Sequence, residues 1–269
     1  MADELDLGRL VVAPGRRLCG LAVDLELRRG ILRELSDVVY GCGGRELYVA
    51  FYAVLSGRGG LHGVVFLDLT GAAVSAEELA ERMRGVEGVR DVELLKPAAD
   101  GLLVDYLHHK LMFSGERAIL VRRGVYRALV DAFKGRFACI GEGFLYYAGY
   151  EWGAKIAESH AAIAEGLGLR DPLEIMKRLS MSFFSAVGFG RLEVAEASLK
   201  PQFRMIVRAH DLFEDDGAPK SKKPCSHLMR GILAGLCSAL FKVNGRADEV
   251  KCAAMGNPYC EFLVSEEPT

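Results

Sequence analysis

Between Leu18 and Leu95 the hydrophobic pattern changes back and forth between the period of a strand and the period of a helix, in an order that few folds accommodate. Residues 18–25 form an apolar run of strand length. Residues 27–41 carry Ile31, Leu32, Leu35, Val38 and Val39 at helical spacing and stop at Gly41-Cys42-Gly43-Gly44. Two β-rich runs follow, 47–55 and 64–69, joined through Ser56-Gly57-Arg58-Gly59-Gly60, which reads as a hairpin loop. Ser75 and Glu78 then form a capping box for a helix whose apolar stripe is Leu79, Met83 and Val86. A last strand, 89–95, ends before Pro97.

This β-α-β-β-α-β order is the split βαβ pattern of ferredoxin-like folds. The phrase from Glu78 to Leu95, a helix running through Gly85-Val86-Glu87-Gly88-Val89 into a strand, resembles the second half of an ACT-type small-molecule-sensing domain. Residues 98–117 show little periodicity and read as a connector. The expected organisation is a domain over 1–115 and a second over 116–269. Adjacent His108 and His109 point different ways on a helix or a strand, which argues against a shared metal ligand role.

At 269 residues, two domains are expected. An apolar fraction of 51% with a net charge of −2 excludes a disordered chain and removes the electrostatic footprint of a nucleic-acid binder. Asn and Gln together number three (Gln202, Asn244, Asn257) and Arg outnumbers Lys by 23 to 11, the first of which is a thermophile habit. The acidic start and the lack of a membrane-length apolar run point to the cytoplasm and to no membrane partner. Seven cysteines, an odd number, are then expected to be reduced, and grouped ones to bind metal or do chemistry.

The second half reads as helices over 125–133 and 141–164, the latter with Leu145, Ala148, Trp152, Ile156 and Ala157 on one stripe. Asp171-Pro172 starts another helix that runs to Gly188. Strands over 190–199 and 202–210, a helix over 225–243 and a closing hairpin (249–255 and 259–264, turning at Gly256-Asn257-Pro258) complete the chain. The fold class is therefore mixed α+β.

Four cysteines lie in the last 45 residues: Cys225, Cys237, Cys252 and Cys260. Cys252 and Cys260 occupy opposite arms of the hairpin, and Cys225 is read into the first turn of a helix, where the dipole favours a thiolate. Three thiolates with one further N or O donor make a closed tetrahedral zinc site. The fourth donor is His227 or Glu249; strict alternation places Glu249 opposite Cys252, so it reaches the site only through a bulge or a strand end. Cys237, Cys19, Cys42 and Cys139 are expected to be packing residues.

Other segments carry a second resemblance. They are Tyr147-Ala148-Gly149-Tyr150-Glu151-Trp152-Gly153, Gly188-Phe189-Gly190, His210-Asp211-Leu212-Phe213-Glu214, the Gly231-x-x-x-Gly235 helix, and the run from Glu249 through Cys252 and Asn257-Pro258 to Cys260 and Phe262. In that order they resemble the 4-vinyl reductase-like domain family, which includes hydrocarbon-binding and aromatic-sensing domains. The resemblance implies a small apolar ligand held between helices and sheet, a structural Zn2+ on Cys225, Glu249, Cys252 and Cys260, and a homodimer. The ligand-binding residues it suggests are Tyr146, Tyr150, Trp152, Phe184, Phe189 and Phe213, an aromatic lining with few polar groups. No catalytic residue is expected. A vinyl-reducing enzyme is the alternative, against which stands the lack of a Gly-rich dinucleotide loop; a scaffold subunit is another, since vesicle-tethering subunits share the fold.

Overall fold

Ser75 accepts a hydrogen bond from the Glu78 amide at 3.0 Å, so the helix read from the capping box starts where that box places it. A computed structural model describes residues 4–54, 59–137, 139–218 and 220–267; Ser56-Gly57-Arg58 of the expected hairpin loop and the Cys139 side chain lie outside the described residues. The chain divides into two compact units, Met1–Ile119 and Leu120–Thr269. No helix among the described residues is long and apolar enough to cross a membrane.

The first unit contains β1 (Leu10–Val12), β2 (Leu18–Leu25), α1 (Ile31–Gly41), β3 (Arg45–Val54), β4 (Gly60–Asp68), α2 (Ala76–Arg84), β5 (Val89–Leu95), β6 (Leu102–Val104), β7 (Leu111–Phe113) and β8 (Glu116–Ala118). Its main sheet is antiparallel with the order β3-β4-β2-β5, the order a split βαβ chain produces. Alternation sorts the sheet into two faces. Cys19, Leu21, Val23, Leu25, Val65 and Leu67 meet Ile31, Leu35 and Val39 of α1 and Leu79 and Met83 of α2. Leu18, Val64, Phe66 and Leu95 face the other way and are covered by Leu103 of β6. That cover comes from the stretch read as a connector: β6 pairs with β1, and β7 with β8. Three-residue strands show no period from which to read them. The same stretch fixes His108, whose amide and Nδ1 lie 3.0 Å from the buried Asp105 Oδ1, while Arg9 closes on Asp105 Oδ2 at 2.6 Å.

The second unit contains α3 (Arg123–Phe137), α4 (Cys139–Gly166), α5 (Pro172–Glu174), a π turn (Ile175–Ser180), α6 (Met181–Ala186), β9 (Arg191–Ser198), β10 (Arg204–His210), α7 (His227–Phe241), β11 (Gly245–Lys251), a 3-10 turn (Ala253–Met255) and β12 (Cys260–Glu266). Its antiparallel sheet runs β11-β12-β10-β9. Met205, Val207, Ala209, Cys260, Phe262 and Val264 alternate onto its inner face, against Ile232, Leu233 and Leu236 of α7.

Helices α4 and α7 touch through glycine. A Cβ at Gly149 or Gly153 would overlap the carbonyls of Leu228 or Ile232, and one at Gly231 or Gly235 would overlap those of Tyr146 or Tyr150. This corrects the stripe read for α4. The contact is centred on Gly149 and Gly153 with Leu145, Ala157 and His160, and Trp152, one residue before Gly153, is turned outward and 53% exposed.

Candidate functional site

The closing hairpin builds the first half of the site. Its register shifts between Glu249 and Lys251, where β11 pairs with β12, and Cys252 follows the strand as the residue that caps the 3-10 turn. A bulge lets consecutive positions share a side, so Glu249 joins Cys252 in spite of strict alternation. The ligand atoms of Asp215, Glu249, Cys252 and Cys260 all lie within 4.8 Å of one another, and all four residues are buried. Cys225 sits before α7 rather than in its first turn; its Sγ is 3.8 Å from Cys252 Sγ and 3.4 Å from Asp215 Oδ1. The Cys252 and Cys260 sulfurs are 3.4 and 2.6 Å from Asp215 Oδ2.

Asp215 was not singled out from the sequence, although it directly follows the His210–Glu214 segment and opens the acidic pair Asp215-Asp216. Ser226, the residue before α7, ties the two carboxylates together. Its amide donates to Glu249 Oε2 at 3.0 Å, and its hydroxyl lies 2.9 Å from Glu249 Oε1 and 2.7 Å from Asp215 Oδ1. His227 is buried but turned elsewhere, its Nε2 3.6 Å from Glu142, and is not one of the clustered groups.

Electrostatically the cluster is a pool of donors that needs a cation. Hydrogen bonds from Cys225 and Cys260 hold Cys252 as a thiolate. The bond to Cys252, followed by burial, keeps each of the other two thiols protonated. Burial raises Glu249 to about 8 and raises Asp215 as well. A divalent ion in such a place would reverse these directions by supplying the missing positive charge. Beside the cluster a surface cavity of about 370 Å³, bordered by Asp215, Ser221, Ala253, Met255 and Gly256, gives access from solvent. Glu214, next to Asp215, accepts the Leu228 and Met229 amides (3.0 and 2.9 Å) and the Tyr126 hydroxyl (3.0 Å), capping α7 from within the core.

The second half of the site is a file of rings. Successive centroids are 5.1 Å apart from Tyr126 to Phe213, 6.1 Å to Phe189, 5.8 Å to Phe184, 5.8 Å to Phe183 and 4.8 Å to His160. Phe184, Phe189 and Phe213, expected from the sequence, are thus brought together. Tyr150 packs at the margin of the same core. Tyr146 borders a separate polar cleft of about 380 Å³, with His227, Arg230, Arg246 and Glu142. Trp152 stands apart on the outer face of α4.

His160 ends the file and is 1% exposed. Its Nδ1 is 2.9 Å from the Ser180 hydroxyl at the end of the π turn, and its Nε2 has no hydrogen-bond partner among the described residues. Desolvation lowers it to about 4. No sequence cue pointed to it, because a single histidine on an apolar helix face carries no spacing.

Residues 205–266 match the model of the vinyl-4-reductase domain. The uncharacterized protein MJ1642 of Methanocaldococcus jannaschii is 33% identical over 89 residues, 33% of this chain and 51% of that protein; the match spans about half the relative's length. The phenol-responsive sensory domain of the transcription activator PoxR, solved with phenol, is similar in fold, with a TM-score of 0.51 and 18% identity over 56% of this chain and 78% of that one. A vinyl-4-reductase family protein from M. jannaschii aligns over 56% of this chain and 85% of its own, at 21% identity and a TM-score of 0.39. The C-terminal unit is therefore similar to the 4-vinyl reductase-like domains that its motifs resemble.

Proposed function

We propose that the C-terminal unit binds a small aromatic molecule and works as a sensor, with a structural zinc ion beside the ligand site. The observation that carries this reading is the buried ring file ending at an imidazole nitrogen without a protein partner among the described residues. A buried polar atom left unsatisfied costs about 1–3 kcal/mol, and a ligand hydroxyl or carbonyl at His160 Nε2 would recover that. Phe183, Phe184 and Phe189 would supply the apolar contact. The match to the vinyl-4-reductase domain and the fold shared with a phenol-responsive domain support the same ligand class.

The metal reading rests on donor chemistry: buried thiols with carboxylates suit Zn2+. Cys225, Cys252, Cys260 and one carboxylate, Glu249 by family resemblance, would hold it. The ion would supply cross-linking between the entry to α7 and the closing hairpin, with no open position for a reaction. Reduced thiols suit a cytoplasmic protein, and a homodimer is the assembly the resemblance favours. The first unit, with its ACT-like topology, is read as a regulatory domain of its own.

The test is calorimetric titration of the full chain with phenol, cresol and benzene, alongside metal analysis. One zinc per chain and saturable 1:1 binding, weaker for benzene than for phenol, are expected. The absence of binding by any of the three, with no co-purified organic mass, would overturn the ligand reading.

A further inference from the structure

We propose that the carboxylate ligand of the metal centre is Asp215, and that Glu249 is a positioning residue acting through Ser226. The inference rests on the metal reading above and assigns a donor that the family resemblance does not. With metal–sulfur bonds of about 2.3 Å and metal–oxygen bonds of about 2.1 Å, tetrahedral donors sit roughly 3.8 Å apart for two sulfurs and roughly 3.6 Å for sulfur and oxygen. Asp215 meets that pattern. Cys225 and Cys252 are 3.8 Å apart, and each lies 3.4 Å from an Asp215 oxygen. The Cys260 edge, at 2.6 Å, is the short one and would open by about 1 Å around an ion.

Asp215 thus has a contact with each of the three sulfurs. Glu249 instead has both oxygens engaged by Ser226, one by its amide and one by its hydroxyl. Charge points the same way. Three thiolates and one carboxylate already exceed the charge of a divalent ion, so a second ionised carboxylate in the shell is disfavoured. Glu249 then holds Ser226, and Ser226 fixes both Cys225, its chain neighbour, and Asp215 Oδ1.

Cobalt-loaded full-length protein tests this, because thiolate-to-cobalt charge transfer counts sulfurs and the ligand-field bands report the donor set. Asp215→Asn is expected to lower Co2+ affinity at least tenfold below that of Glu249→Gln, measured by chelator competition. Asp215→Cys adds a fourth thiolate and raises the charge-transfer absorbance by about one third; Glu249→Cys leaves it at the wild-type level. The reverse pattern, or equal loss in both series, overturns the assignment. If Asp215→Cys fails to fold, Glu249→Gln decides: unchanged ligand-field bands support the proposal and shifted bands overturn it. A wild-type chain that takes up neither Zn2+ nor Co2+ sinks the metal reading itself, a result distinct from a wrong carboxylate.

Discussion

His160 shows how a single side chain constrains both stability and recognition. Burial holds it at about 4 in the fold against about 6.5 in an unfolded chain, so the unfolded state takes up the proton first as pH falls. The stabilisation is complete above pH 6.5 and is lost as pH falls from there toward 4, by about 3 kcal/mol in all. Urea melts at pH 7, 5.5 and 4 should show that loss, and His160→Leu should flatten it; a slope identical in the variant would remove His160 as its source. Phe184, fully buried in mid-file, makes a complementary case: Phe184→Ala should cost about 3–5 kcal/mol in the same melts. Glu249 marks the limit of reading residues by alternation. Its place in the strand pattern sets it across from Cys252, and only the shift in pairing with β12 brings the two together. Bulges follow from how a strand pairs, which a single strand's pattern does not record.

At the level of elements, capping and periodicity told most about the first unit. The Ser75 capping box and the apolar stripes of α1 and α2 lie where their patterns place them, as do β2 and β5. The second unit was less legible because its central contact is made by absence of side chain. The α4 stripe drawn through its large apolar residues included Trp152, whereas α4 meets α7 backbone to backbone at Gly149, Gly153, Gly231 and Gly235. Gly235→Ala should therefore destabilise the unit by about 2–4 kcal/mol by forcing the helices apart, while Trp152→Ala should change stability by less than about 0.5 kcal/mol. Equal effects in chemical denaturation would contradict this packing. The π turn at Ile175–Ser180 was also unreadable, since the helix period across it hardly differs from that of the flanking segments; it ends at the hydroxyl that meets His160, the kind of place where such turns recur.

For the whole molecule, a ferredoxin-like unit and a unit similar to the vinyl-4-reductase domain stand in sequence, and the chemistry lies in the second. The metal cluster joins the segment before α7 to the closing hairpin, while the ring file crosses from α3 through the β10 exit and α6 to α4. Metal and ligand are thereby bound by one core. Chelation of the zinc should lower the melting temperature of that core and weaken small-aromatic binding together, by linkage; unchanged melting after confirmed metal loss would assign the ion no structural role. The claim on which the account turns is that this core takes up a small aromatic molecule at His160. Its most direct measurement is calorimetry of wild-type and His160→Leu chains with a hydroxylated aromatic and its hydroxyl-free analogue. The account predicts 1:1 binding that favours the hydroxylated compound in the wild type and a preference reduced tenfold or more in the variant. No binding to the wild type, or a preference that survives the loss of the imidazole, would contradict it.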